Sequence, residues 1–422
     1  MPREREASLS RAYDVVIVGA RVAGASLGYL LAREGHRVLL VDRATFPSDV
    51  PHSTLLIHQP GVAFLRKWGL EPRILATGCP KIKTWQVHLG PMVFRGSPLP
   101  AGEVDFGLAP RRYILDSLIA EAAVEGGADF QQGYTVNELL WDSERVVGLR
   151  GTDRSGATVD VAARLVIGAD GFHSRVAKAV APSEYDVQPP LVAACYTYFQ
   201  NLKLPDGVQF EFHGGVHRAI FAWPTNNNEV ILGVNWKAEE LEAKRQNPET
   251  EFFAVLDELS PTLAERVRQA KRTADFTAGC VPANYFRKPV GPGWALVGDA
   301  GACYEFTTAH GMTNAFRQVD QLAPAISEGL RGARPVEESL NGFEETRNQV
   351  ELPFYHFTRD NMTNQPPSEQ ALQLFGAIHA SPRAPDQFFG VLAQTVSPGE
   401  FFSPENLQAI MSPSDWSRST PS

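Results

Sequence analysis

Three acids close apolar runs in this chain of 422 residues. Asp42 ends "HRVLLVD" (36–42), Asp170 ends "RLVIGAD" (164–170) and Asp299 ends "WALVGD" (294–299). Near-continuous apolar runs of this length suit strands buried on both faces of a parallel sheet. A carboxylate at such a strand end can accept hydrogen bonds from sugar hydroxyls. Near the N-terminus, "VVIVGARVAGASLG" (15–28) places Gly19 and Gly24 at the outer positions of a GxGxxG turn between a strand and a helix. Glycines there permit a tight turn and close approach of a pyrophosphate, and the helix N-terminus offers free N–H groups to an anion. Arg21 stands where the middle glycine is usual, so its side chain must point away from the phosphates or reach round to neutralise them. Asp42 lies 23 residues beyond Gly19, in register for a ribose. Asp170-Gly171 is weaker on its own: an Asp-Gly turn can bind itself or approach a cofactor.

Positioning these groups requires particular elements. "YDVVIVG" (13–19), a helix over 23–35 ending at Gly35 and "HRVLLVD" form a βαβ unit. Residues 110–130 read as a helix feeding a strand, and 137–170 as a β-meander. Between about 185 and 240, "AACYTYFQ", "VQFEFHG" and "AIFAWPTNNNEVILGVNW" alternate and are rich in aromatics, which predicts an antiparallel sheet with one packed face. Residues 250–270 read as helical, "WALVGDA" returns to parallel-strand texture, a helix covers about 311–330, and helix predominates to about 410. The expected organisation is discontinuous. Segments 13–80, 105–182 and 275–335 build a Rossmann-like nucleotide unit, and 81–104 with 183–274 build an inserted sheet domain. Residues 336–412 form a helical C-terminal region, with 1–12 and 413–422 as flexible tails.

The bulk properties exclude several classes. A net charge of −9 without long basic runs is a poor match for nucleic acid. Cys79, Cys195, Cys280 and Cys303 are widely spaced and form no CxxC pair, which argues against a disulfide framework and fits a cytoplasmic location. The ten histidines show no clustered metal spacing, so no metal site is expected. The N-terminal "MPREREASLSRAY" lacks an apolar run, so no secretory signal is expected, and no 18-residue apolar run suggests a membrane span.

Taken together, "GARVAG" with Asp42, "RRYILDSL", "GADGFHSRV" and "GDAGACYEFTTAHGMTNAFRQVDQLA" resemble the FAD-dependent monooxygenases of the aromatic-hydroxylase type. The wider family includes geranylgeranyl reductases and flavin halogenases, and "FFGVLAQTVSPGEFFSPENL" looks like one subset of it. The resemblance covers most of 13–412 and implies an α/β fold with a glutathione-reductase-type FAD domain. It implies cofactor contacts at Gly19, Ala20, Val22, Ala23, Gly24, Asp42, Arg43, Thr54, Arg112, Asp170, Gly171, Asp299, Gly311 and Met312. Arg111 is the competing register for Arg112, and Ser53 competes with Thr54. Many relatives carry a proline after the GD acid, packed near the flavin; Phe306 stands there instead.

The resemblance implies NAD(P)H as reductant, oxygen transfer through a flavin C4a-hydroperoxide and an aromatic or polyketide-like substrate. Tyr196, Tyr198, Phe212, Phe221 and Trp223 are the candidates to cover a flat apolar molecule. His310 is the candidate base beside the flavin and Phe306 its neighbour, with His58, His213 and His217 weaker. No second GxGxxG follows a strand, so NAD(P)H visits transiently or a separate flavin reductase is a partner. The alternatives are a reductase or dehydrogenase without oxygen insertion, a halogenase, and a non-catalytic nucleotide-binding protein. The halogenase "WxWxIP" stretch is absent.

Overall fold

A computed structural model describes residues 13–50, 53–363 and 365–412, so the expected tails lie outside the described residues. The first sheet runs in the order Val290–Gly291, Trp294–Leu296, Thr158–Gly168, Tyr13–Val18, Val38–Asp42, Asp129–Gln132. Along this order every pairing is parallel except the Val290–Gly291 edge, so the acid-bearing strands end on one side. Strands Thr135–Asp142 and Arg145–Thr152 extend the long Thr158–Gly168 strand as an antiparallel meander. Helices Val22–Arg33, Arg112–Glu125 and Gly311–Leu330 share one apolar cluster with this sheet, which is why its strands carry Val, Ile and Leu without alternation.

The second sheet runs in the order Lys271–Arg272, Val192–Gln200, Glu229–Lys237, Arg218–Pro224, Phe210–Gly215, Trp85–Leu89, Met92–Gly96. It differs from expectation in three ways. Strands Phe210–Gly215 and Trp85–Leu89 run parallel, because the 85–96 hairpin arrives from an earlier part of the chain. Thr277–Gly279, expected with the nucleotide unit, pairs with Val192–Gln200. Both faces are covered rather than one. Cys195, Phe199, Ile220 and Leu232 pack on helices Pro248–Leu259 and Pro261–Gln269, while Tyr196, Tyr198, Phe221 and Trp223 face the C-terminal helices.

Those C-terminal helices are Phe343–Asn361, Glu369–Ala380, Ala384–Leu392, Pro398–Phe401 and Pro404–Met411. Ser397-Pro398 and Ser403-Pro404 start two of them. Each serine hydroxyl accepts from an amide three residues on, and each proline fills the first turn, where its missing N–H costs nothing. Phe354, Phe357, Phe388, Phe389 and Phe401 press into the aromatic sheet face. Among the described residues no helix is long and apolar enough to cross a membrane.

A small third sheet, Glu184–Gln188, Asn284–Arg287 and Ala302–Cys303, joins these layers. Arg347 of helix Phe343–Asn361 is fully buried beside it. Its guanidinium donates to Gly301 O at 3.2 Å, Arg287 O at 3.0 Å and the Tyr185 hydroxyl at 2.6 Å. Removing the side chain deletes all three bonds and leaves a void at a fully buried position, although Gly301 O keeps the Arg287 amide and the Tyr185 hydroxyl keeps Asn348. Arg347→Ala is expected to lower unfolding free energy by about 3 kcal/mol, read from the urea midpoint at unchanged slope.

Candidate active site: three turns at the sheet's carboxyl edge

Adjacent strands staple the three turns together. The Gly19 amide donates to Val41 O, Ala169 N to Val18 O, and Val297 N to Gly168 O, at 2.8, 2.8 and 2.9 Å. Gly19 has φ +99, and a Cβ on it would lie 2.4 Å from Ala169 O. A Cβ on Gly24 would lie 1.8 Å from Gly19 O, so the helix start presses directly on the turn. Gly298 (φ +66) sits where a Cβ would be 3.2 Å from the Ala23 methyl. The Gly19–Gly24 turn and the Gly298-Asp299 turn are therefore in contact, although about 275 residues separate them.

Two helices begin at this edge. Val22–Arg33 and Gly311–Leu330 each lack a side-chain cap and an acid in the first turn. Val22, Ala23 and Met312 are buried, whereas Gly311 is exposed. Their first-turn N–H groups and positive dipole ends suit anionic or electron-rich groups.

The acids differ in state. The Asp42 carboxylate accepts from Ala20 N at 2.9 Å and Ala44 N at 2.8 Å, which locks the turn to the strand end, with Arg43 exposed beside it. Asp170 serves its own turn. Its oxygens accept from the Ser174 hydroxyl at 2.5 Å and Arg175 N at 2.7 Å, next to Gly171 (φ +76), and Ser174 caps the following helix. That engagement is the alternative left open for an Asp-Gly turn. Asp299 stands apart. Its main-chain oxygen accepts from Tyr285 Oη at 2.7 Å, while no hydrogen bond to its carboxylate is found among the described residues. Burial pushes this carboxyl up to about 6, and nearby Arg112 pulls it part of the way back.

The two arginines of the competing registers point in different directions. Arg112 is buried and grips Asp116 with Nε and Nη2, both at 3.1 Å, and reaches the Ser53 hydroxyl at 3.3 Å. Arg21 points away from the turn into the same carboxylate, at 2.8 Å, and also binds Ser48. One fully buried acid thus holds two cations beside the glycine turn. Arg111 faces the other way, ion-paired to Glu229 at 2.7 Å and lying 3.7 Å above the Tyr198 ring.

His310, the candidate base, is built into the loop. It is 1% exposed, with Nδ1 3.1 Å from Thr308 Oγ1 and Nε2 2.8 Å from Leu392 O. Burial holds its pKa well below the ordinary imidazole value, with His58 adding to the effect. Both ring nitrogens are engaged, so the ring shapes the loop and ties it to the C-terminal helices. His58 belongs to the same support. Its ring bonds Thr308 O at 2.8 Å, and burial depresses its pKa to about 4.

The aromatic candidates are largely packed on one another. Trp85, Phe210 and Trp223 stack at 4.1 and 5.2 Å, and Phe221 stacks on Trp223 at 5.0 Å. Trp223 Nε1 donates to Thr54 O at 3.0 Å, which engages Thr54 through its main chain. Tyr196 and Tyr198 are buried, and Arg111 covers the Tyr198 ring. Phe306 and Phe212 are half-buried at the border of this cluster. Glu305 fixes Phe306 in place, accepting from Leu191 N at 2.6 Å while its own amide donates to Asn284.

Sequence reasoning missed the relay behind Asp299. Gly298 N donates to Gln318 Oε1 at 2.7 Å, and Gln318 Nε2 donates to both Glu351 oxygens at 2.9 and 3.1 Å. Gln318 sits inside the quoted motif, seven residues into the helix, but no spacing rule links it to Glu351. The Arg21 partner Asp116 was equally invisible, 95 residues away.

Comparison with known proteins agrees with this geometry. The family described as FAD binding domain matches residues 12–354. The chain is 26% identical over 341 residues to digeranylgeranylglycerophospholipid reductase 2 of Methanothermobacter thermautotrophicus, covering 79% of this chain and 82% of that one. It is 24% identical over 336 residues to kynurenine 3-monooxygenase of Christiangramia forsetii, covering 73% and 71%. A solved flavin-dependent brominase superposes with a TM-score of 0.79 at 20% identity, over 95% of this chain and 97% of that one. The turns, the uncapped helix ends and the matched family make this chain a member of the FAD-binding-domain family, whose monooxygenases, reductases and halogenases are FAD-dependent oxidoreductases.

Proposed function

We propose that the chain is an FAD-dependent monooxygenase that uses NAD(P)H and oxygen to hydroxylate an aromatic or polyketide-like small molecule. The observation that carries the cofactor assignment is Asp299. Among the described residues it is a carboxylate without a hydrogen bond, at the meeting point of the glycine turn and two uncapped helix ends. The residues fit the group. A Cβ on Gly19 or Gly24 would meet main chain, so the two glycines let the helix start pack directly on the strand end where a pyrophosphate would approach. Asp42 stands at the ribose position, Arg112 supplies a buried cation and Asp299 offers acceptors to a polyol chain. Gly311 and Met312 begin the helix whose dipole favours negative charge on a ring system. FAD held by these residues would supply the redox chemistry.

The chain's own residues hold, orient and exclude water. Phe306, Phe212 and the neighbouring apolar side chains form the dry border at which a flat substrate would lie, and His58 with His310 keeps the 306–310 loop rigid. Both histidines are held neutral by burial, which keeps their charge out of this border. A separate flavin reductase remains the alternative reductant route. The kynurenine 3-monooxygenase relative supports oxygen insertion. Phe306, in place of a flavin-adjacent proline, favours a second reading, reduction without oxygen insertion, as in the digeranylgeranylglycerophospholipid reductase relative.

The purified chain should retain one FAD, and Gly24→Ala should lose it, because the new methyl drives the helix start off the turn. Absorbance at the flavin band after gel filtration checks this. With FAD bound, substrate-stimulated NAD(P)H oxidation should track oxygen uptake in an oxygen electrode. Equal product without oxygen would overturn the monooxygenase reading in favour of reduction, and a brominated product in bromide buffer would favour halogenation.

Asp299 also sets a pH dependence. Its folded pKa, about 6, exceeds the ordinary 3.8, so the folded chain binds the proton more tightly than the unfolded one. The stability it contributes is full below about pH 4 and lost as pH rises to about 6. His58 acts oppositely: its stability is present above 6.5 and lost as pH falls towards 4. Flavin-free Asp299→Asn isolates the first effect. It should exceed the parent by about 2 kcal/mol at pH 7 and match it at pH 4, by urea unfolding.

A further inference from the structure

The parallel joint in the second sheet carries a group of side chains that the flavin site does not use. Strand Phe210–Gly215 sends Phe210 and Phe212 towards the aromatic cluster and Glu211 and His213 to the opposite face. Strand Trp85–Leu89 does the same with Trp85 and Val87 against Gln86 and His88. The register places His213 directly opposite His88 and Glu211 opposite Gln86. The two imidazoles stack at 4.2 Å with 9° between planes. One ligand atom from each of His88, Glu211 and His213 lies within 4.8 Å of the others.

Glu211 is the informative member. It is 2% exposed. Its Oε1 is shared by His213 Nε2 at 2.9 Å and Arg266 Nη2 at 2.7 Å, while Oε2 is buried with no partner. An unpaired carboxylate oxygen in a dry site costs free energy, and a cation would satisfy it. Arg266, from helix Pro261–Gln269, also donates to Lys203 O at 2.6 Å, so it steadies the carboxylate from behind, as an outer-shell partner does in metal sites. Gln86 Nε2 lies 2.9 Å from His88 Nε2 and orients that ring.

The geometry points to a binding site for one divalent transition ion, of the zinc class, held by His88, Glu211 and His213, with water completing the tetrahedron. Two imidazoles and one carboxylate suit Zn²⁺ or Co²⁺, whereas Mg²⁺ and Ca²⁺ prefer all-oxygen sites. Binding displaces the proton between His213 Nε2 and Glu211 and turns the stacked rings so that one nitrogen of each faces the ion. Half-buried His88 has room to turn. The site joins two chain segments more than 120 residues apart, at the one parallel pairing of this sheet among the described residues, so the ion acts as a clamp on that joint.

The test uses the full chain, free of any affinity tag and stripped with EDTA. Zn²⁺ titrated by calorimetry should bind at one ion per chain and raise the thermal midpoint, with Mg²⁺ leaving the midpoint unmoved. Co²⁺ should give the intense visible bands of a four-coordinate site with nitrogen ligands. His88→Asn, at the half-buried position, should weaken binding by about tenfold or more and remove the thermal shift while keeping the parent's flavin content. Glu211→Gln and His213→Ala should do likewise. Absence of one-to-one Zn²⁺ binding, or a featureless Co²⁺ spectrum in the parent chain, overturns the assignment. So does parent-like binding by folded His88→Asn.

Discussion

The Gly19 amide rests on the Val41 carbonyl, Ala169 on Val18, and Val297 on Gly168. These contacts fix the height at which four parallel strands end. Every other feature of the flavin edge follows from that height. Because the turns are level, Gly298 can lie against Ala23, and Gly24 can press on the Gly19 carbonyl. A Cβ on Gly24 would clash with the Gly19 carbonyl and push the helix start off the turn, while one on Gly298 would crowd Ala23. The outer layers reinforce the arrangement. Gln318 and Glu351 hold the Gly298 amide from behind, and Arg347 ties the following loop to the same helix.

Much of this edge was legible in the primary structure because it is written locally. Strand texture, glycine position and a terminal acid occupy short windows, so Asp42, Asp299 and the order of elements could be read directly. Partners set by tertiary approach could not. Arg21 departs from the usual glycine, and only the fold shows that Asp116 receives it along with Arg112. The aromatic alternation of 193–236 announced a sheet, but not that helices would cover both faces. His310 sits in the expected loop, yet its burial and its bond to Leu392 O depend on a helix some 80 residues further on. His88 and Glu211 meet only through a parallel pairing that spacing rules for metal sites do not anticipate.

The triad of Arg21, Asp116 and Arg112 has an electrostatic meaning of its own. Two cations share one buried anion next to the glycine turn, Arg21 with a quarter of its side chain exposed and Arg112 also acting on the Asp299 carboxyl. Cationic side chains held in this way suit an anionic ligand at the turn. The missing middle glycine is thus offset by a side chain that contributes charge from the second layer, not by contact.

The parallel seam between Trp85–Leu89 and Phe210–Gly215 also bears on how the polypeptide matures. The 85–96 hairpin emerges early in synthesis, but its neighbour in the sheet is not made until more than a hundred residues later. Until then the hairpin presents an open edge, and pairing must wait on a long loop closure. Such late, non-local registration makes this seam a slow step in assembly and a place where a nascent chain is exposed to wrong partners.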